Sequence, residues 1–152
     1  MLARFLHMFG QALWIGGAIA AMVVALASRE EDPLVRSGAF RLLARVHSLV
    51  IGPGVLLTVV TGLWLTMSYA RQGKGAELAD PGVATMQAFG LLGGLLALFV
   101  GLPTAATLAR AAEPGPDGTM PPLFERLRKR QAIVSSIAGV MAVIALAGSR
   151  LF

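Results

Sequence analysis

The sequence predicts an all-α protein, a polytopic transmembrane four-helix bundle, and three observations carry that prediction. Of its 152 residues, 56% are apolar and only 14% charged, and the mean hydropathy is +0.73; soluble chains carry about 25% charged residues to cover their surface. The apolar residues fall into four stretches near the ~20 residues a helix needs to cross the hydrocarbon core. Between the stretches stand clusters of Pro, Gly and charged residues, the chemistry that ends helices. Four spans use most of the chain, so residues 1–152 read as one integral membrane domain.

The first span covers about residues 2–27 and ends at Ser28-Arg29-Glu30-Glu31-Asp32-Pro33. Ala25-Leu26-Ala27 imitates a signal cleavage site, but the apolar run over 5–26 is longer than a signal h-region and carries His7 and Gln11. It reads as a retained span. Residues 34–46 are amphipathic, with Arg36, Arg41 and Arg45 among Leu34, Phe40, Leu42 and Leu43. That segment either lies at the interface or extends the second span as a longer helix. The second span covers about 47–70 and holds Pro53 between Gly52 and Gly54; proline removes a backbone donor, which predicts a kink. A loop over 71–81 contains Gly73, Gly75 and the turn signal Asp80-Pro81-Gly82. The third span covers about 83–109, with Pro103 as a second kink site. Glu113-Pro114-Gly115-Pro116-Asp117-Gly118 excludes regular structure, and the fourth span covers about 124–151 with Arg126, Arg128, Lys129 and Arg130 in its first turns. No internal repeat is evident.

Lys and Arg are distributed unequally. The segments after spans one and three carry nine (Arg29, Arg36, Arg41, Arg45, Arg110, Arg126, Arg128, Lys129, Arg130), against Arg4, Arg71, Lys74 and Arg150 on the other side. Positive charge stays in the cytoplasm, so both termini are expected outside, on the periplasmic side of a multi-pass protein of the cell inner membrane. The bacterial assignment rests on richness in Ala, Gly, Arg and Leu. The net charge of +5 is explained by these topogenic residues, and no solvated basic reading face points to nucleic acid. The absence of cysteine excludes disulfides, thiolate metal sites and c-type haem attachment.

Small residues recur at every fourth position, as Ala12, Gly16 and Ala20 in span one and Gly93, Ala97, Gly101 and Ala105 in span three. In lipid such stripes let backbones approach. Partners beyond the bilayer are therefore expected within the bundle, in a homo-oligomer or in a larger membrane complex.

Residues 83–109 and 131–149 contain no ionisable side chain, which argues against a proton pump or ion-coupled transporter. Both histidines, in contrast, fall in or beside apolar spans. His7 shares a helical face with Gln11, Trp14 and Ala18, with Gly10 one turn along. A glycine beside a ligating histidine lets a flat macrocycle lie against the helix; the alternative is an interfacial histidine bonded to headgroups or water. His47 follows Arg45 at the cytoplasmic end of span two, where an interfacial role also suffices. With about 1.5 Å per residue, His7 lies roughly 30 Å and His47 roughly 14 Å from the junction of the first two spans, too far apart for one iron. Met86 and Gln87 lie at the depth of His7. A His–Met pair suits haem or Cu(I). The candidate cofactor residues are thus His7, Gly10, Gln11, Trp14, Met86 and His47, with His7 and Met86 as candidate metal ligands. Trp64 and Tyr69 read as interface anchors.

His7-x6-Trp14-x-Gly16-Gly17, followed by Arg41-Leu42 and Pro53-x2-Leu56-x-Thr58-x3-Gly62-Leu63-Trp64, resembles the four-helix membrane protoporphyrinogen oxidase (HemJ-like) family and the related copper-resistance D (CopD-like) membrane proteins, over roughly residues 4–70. The resemblance implies that His7 is the functionally required first-span histidine associated with b-type haem. It also implies a required lysine early in span three, where this chain has Thr85-Met86-Gln87-Ala88-Phe89 and no lysine, so oxidase activity is not expected. The copper-handling relatives work through Met and His, for which His7, Met8, Met67 and Met86 are available.

The sequence thus leads to a small haem-b membrane protein acting in redox or electron transfer. Copper handling is the alternative, and a cofactor-free accessory subunit of a membrane complex the further one.

Overall fold

The structure is a computed structural model describing the backbone of residues 1–151 and the side chains of residues 1–148; Arg150, counted above, lies outside the described side chains. Among the described residues every regular element is helical. Four helices, Leu2–Glu30, Pro33–Arg71, Pro81–Arg110 and Pro122–Gly148, are long and apolar enough to cross a membrane.

Helix α1 (Leu2–Ala27) closes in a 3-10 turn at Ser28–Glu30. The chain then reverses, and Pro33 starts α2 (Pro33–Val46) at a position where its missing N–H has no intrahelical partner to lose. Arg36 holds this reversal: its guanidinium donates to the carbonyls of Ser28, Arg29 and Glu31, groups that a helix end leaves without partners. The amphipathic segment extends span two: α2 continues through a π-helical turn at His47–Ile51 into α3 (Gly52–Arg71).

The π turns have a local cause. A proline ring clashes with the carbonyl four residues back, which for Pro53 is Leu49 and for Pro103 is Phe99. In both spans the turn widens ahead of the ring, so that Gly52 N–H donates to His47 O and Leu102 N–H to Ala97 O, five residues back in each case. The second π turn, Ala97–Gly101, joins α5 (Pro81–Leu96) to α6 (Leu102–Arg110). The two kinks meet, because a Cβ on Gly52 would come 3.2 Å from Leu102 Cδ1. Between α3 and α5, a single turn α4 (Gly75–Leu78) precedes Asp80, whose Oδ1 caps α5 by accepting from Gly82 N at 2.9 Å and Val83 N at 3.2 Å. Helix α7 (Pro122–Leu151) follows an irregular loop.

The bundle is two closely packed antiparallel pairs, α1 with α3 and α5 with α7, joined along looser seams. Glycine makes the first pair possible. A Cβ on Gly10 would stand 2.7 Å from Thr58 Oγ1 and 2.8 Å from Gly54 O, and one on Gly54 would stand 2.9 Å from Gly10 O. In the second pair, Gly93 lies against Met141 and Gly148 against Gly82. The Trp14 indole bridges the pairs, reaching Gly93 and Gly94. At the end carrying residues 28–33 and 110–122, called the basic end here, α2 packs on α6, and Phe40 meets Phe124 edge-on at 5.0 Å.

The two small-residue stripes have different fates. Gly93, Gly101 and Ala105 are buried inside the bundle, but Ala12, Gly16 and Ala20 are exposed and Gly16 faces open space. In span one the close-packing glycines are Gly10 and Gly17. They share the face of Trp14 and Ala21, to which the tryptophan anchors the core.

Candidate functional site

His7 stands on the seam between α1 and α3. Its Nδ1 lies 2.9 Å from Thr58 O and 3.3 Å from Thr61 Oγ1, and the ring rests on Gly62, where a Cβ would come within 3.1 Å of Cε1. A carbonyl can only accept, so the Nδ1 nitrogen carries the proton and Nε2 keeps its lone pair. Among the described residues no hydrogen-bond partner meets Nε2. This is the orientation in which a carbonyl holds a metal-ligating imidazole.

The residues expected around His7 are arranged otherwise. The close approach at Gly10 is made by α3, with Thr58 and Gly54 filling the face where a macrocycle would lie. Gln11 is half-buried and its side chain makes no hydrogen bond among the described residues. Met86 belongs to the α5–α7 seam, its nitrogen beside Gly148, whereas His7 belongs to the α1–α3 seam. Trp64 is exposed, and Tyr69 accepts a hydrogen bond from Arg4.

His47 lies at the start of the first π turn, eleven residues before Thr58 and hence about 16 Å from His7 in depth at 1.5 Å per residue. The two histidines occupy separate sites. His47 is 9% exposed; its Nδ1–H donates to Leu43 O at 2.8 Å. Its Nε2 accepts from Gln131 Nε2 at 3.1 Å, and the same amide nitrogen donates to Ser135 Oγ at 3.0 Å. Both amide protons are thereby used. Gln131 Oε1 is left buried without a partner, a state that costs about 1–3 kcal/mol when nothing satisfies it.

This polar group lines a wide opening between helices. Along the α1–α7 seam runs a groove of about 470 Å³ with apolar walls, among them Trp14, Ala18, Ile51, Val134 and Gly139. His47, Gln131 and Ser135 are its polar floor, and Arg29 and Arg128 stand at its basic end. There it meets a second cavity of about 320 Å³, lined by Ser28, Arg29, Arg36, Phe40, Arg128, Lys129 and Ala132. The groove is helped by small residues that α7 offers on this face, Ala132, Ser135, Ser136 and Gly139 among them, and by the close packing of α1 on α3 instead.

Trp14 and His47 are thus brought to one groove, while His7, Gly10, Gln11 and Met86 are not. Gln131 and Ser135 were not among the candidates from sequence. The available signal was an amide and a hydroxyl one turn apart, entering an apolar helix. Arg29 and Arg128 were read only as topogenic charges.

No curated protein and no solved structure matches this chain. A family model described as "predicted integral membrane protein (DUF2269)" matches residues 1–150. With nearly the whole sequence covered by that model and four apolar helices arranged as a bundle, the chain belongs to this family of integral membrane proteins.

Proposed function

We propose that this membrane protein binds a hydrophobic small molecule in the groove between α1 and α7, taken up sideways from the bilayer. The observation that carries the reading is an apolar groove of about 470 Å³ with the hydrogen-bonded group His47, Gln131 and Ser135 in its lining. Ligand sites are concave and mostly apolar with a few convergent polar groups, and His47, Gln131 and Ser135 supply those groups. Gly139 allows a direct test, since it lines the groove and a Cβ there meets nothing within 4 Å. Gly139→Leu fills the groove without a backbone clash. Organic extracts of the purified protein, analysed by mass spectrometry, are expected to contain a hydrophobic compound that Gly139→Leu and Ala18→Leu lose. Equal retention by both variants would overturn the reading.

Binding of b-type haem, with a redox role, is the second reading, favoured by the two imidazoles whose Nδ1–H is committed to a backbone carbonyl. His7, whose Nε2 has no partner among the described residues, would supply the axial nitrogen; His47 would do so only on giving up its bond from Gln131, with Arg29 and Arg128 then facing the propionates of a groove-bound haem. The haem would supply reversible one-electron chemistry. The test is an absorption spectrum of detergent-purified protein, oxidised and dithionite-reduced, with pyridine haemochrome quantification. Sharp reduced α and β bands lost in His7→Ala or His47→Ala support this reading and identify the ligand. A featureless spectrum after haem supplementation retires it. Copper held jointly by His7 and Met86 has no comparable support, because the two residues belong to different seams. Placement of the basic end in the cytoplasm is part of the proposal and rests on the charge asymmetry.

A further inference from the structure

Resting on the groove as the binding site, we infer that its occupant is an anionic phospholipid of the leaflet at the basic end, with its headgroup in the smaller cavity and an acyl chain in the groove. The two cavities share Arg29, Phe40, Arg128 and Ala132, so they form one amphipathic site, with a cationic vestibule opening into an apolar slot. Four cations face the vestibule. Arg36 is hydrogen-bonded to backbone carbonyls, which leaves its charge in place. Arg128 is paired with Glu125 at 2.7 Å. Arg29 and Lys129 have no ion-pair partner among the described residues. Glu30, Glu31 and Asp32 belong to the same linker, but none of them lines the cavity. After Glu125 is counted, a positive surplus remains where a phosphate would sit. Basic pockets between transmembrane helices recognise acidic headgroups in this way.

Length supports a lipid from one leaflet. The groove follows α1 from Arg29 back to Trp14 and α7 from Arg128 to Ile144, about 22 to 24 Å at 1.5 Å per residue. That is less than the ~30 Å hydrocarbon core and more than half of it.

Trp14 reports on the groove, and Trp64→Phe leaves it as the only tryptophan. This variant is reconstituted in phosphatidylcholine vesicles containing a minor, equal fraction of either acyl-brominated phosphatidylglycerol or acyl-brominated phosphatidylcholine. The expected result is at least twofold stronger quenching of Trp14 by the brominated anionic lipid. Adding Arg29→Gln with Lys129→Gln is expected to abolish the excess, whereas Arg126→Gln, outside both cavities, leaves it unchanged. Equal quenching by the two lipids overturns the anionic preference and keeps the hydrophobic groove. No quenching by either overturns the groove reading too. Should the double variant fail to fold, Lys129→Gln alone serves, and an undiminished excess in that variant counts against the inference.

Discussion

His47 and Gln131 meet across the bundle, 84 residues apart in sequence, with Nε2 to Nε2 at 3.1 Å. The imidazole is fixed from one side by Leu43 O, so the glutamine must donate to it, and the amide oxygen is left buried without a partner. Removing this amide therefore has opposing effects. Gln131→Leu loses two hydrogen bonds but also the unsatisfied acceptor, and interhelical hydrogen bonds in membranes contribute only about 0.6 kcal/mol on average. A stability change within about 1 kcal/mol is expected, measured by reversible unfolding in detergent mixtures. Gln131→Ala, which also leaves a void, is expected to cost more than Gln131→Leu.

Gly10 and Gly16 make a matched pair of tests. A methyl on Gly10 meets Thr58 and the α3 backbone below 3 Å, whereas one on Gly16 meets nothing within 4 Å. Gly10→Ala is expected to destabilise the bundle by about 1–3 kcal/mol, as overpacking does. Gly16→Ala should be neutral or stabilising by up to about 1 kcal/mol, since alanine is the better helix former. Thermal melts of the two variants in one detergent give the comparison.

Both histidines are expected to be Nδ1–H tautomers. Nitrogen-15 spectra of the imidazoles would show a pyrrole-type Nδ1 and a pyridine-type Nε2 at each site. An Nε2–H tautomer at His7 would contradict its bond to Thr58 O and remove the free lone pair on which ligation there depends.

In the loop before α7, the backbone N–H and hydroxyl of Thr119 hold the Asp117 carboxyl below its ordinary value. A depressed folded-state value means that ionised Asp117 favours the ordered loop above the ordinary carboxylate range, and that this contribution is lost as pH falls through the depressed value. Thr119→Ala should move the titration of Asp117 upward, as read by carboxyl carbon chemical shifts.

Much of the architecture was legible because hydropathy and proline are local signals. The four spans and the depth separation of His7 from His47 follow from counting residues along a helix, and the prolines at 53 and 103 mark where the helices depart from regular α geometry, into π turns. The site was less legible because it depends on which helices pack closely. His7 and Gly10 do share a face, as spacing indicates, but what covers Gly10 is set by Gly54 and Thr58 on another span. The exposed stripe at Ala12, Gly16 and Ala20 has the same period as the buried one at Gly93, Gly101 and Ala105, so period alone does not separate them. Gln131 is one polar residue among basic neighbours, and its role requires His47 from a distant helix.

Glycine-close packing along α1–α3 and α5–α7, set against the open α1–α7 seam, gives the bundle a direction in which it yields. Force across a tight pair meets backbone against backbone and has nothing to compress. Force across the groove meets a slit between apolar side chains, with one tryptophan at its inner end. Breathing of the fold is therefore expected along the looser seams, of which α1–α7 carries the groove. In a bundle that spans the bilayer, a seam of this kind opens sideways, so a direction in which the protein yields is also one from which a molecule dissolved in the bilayer would approach.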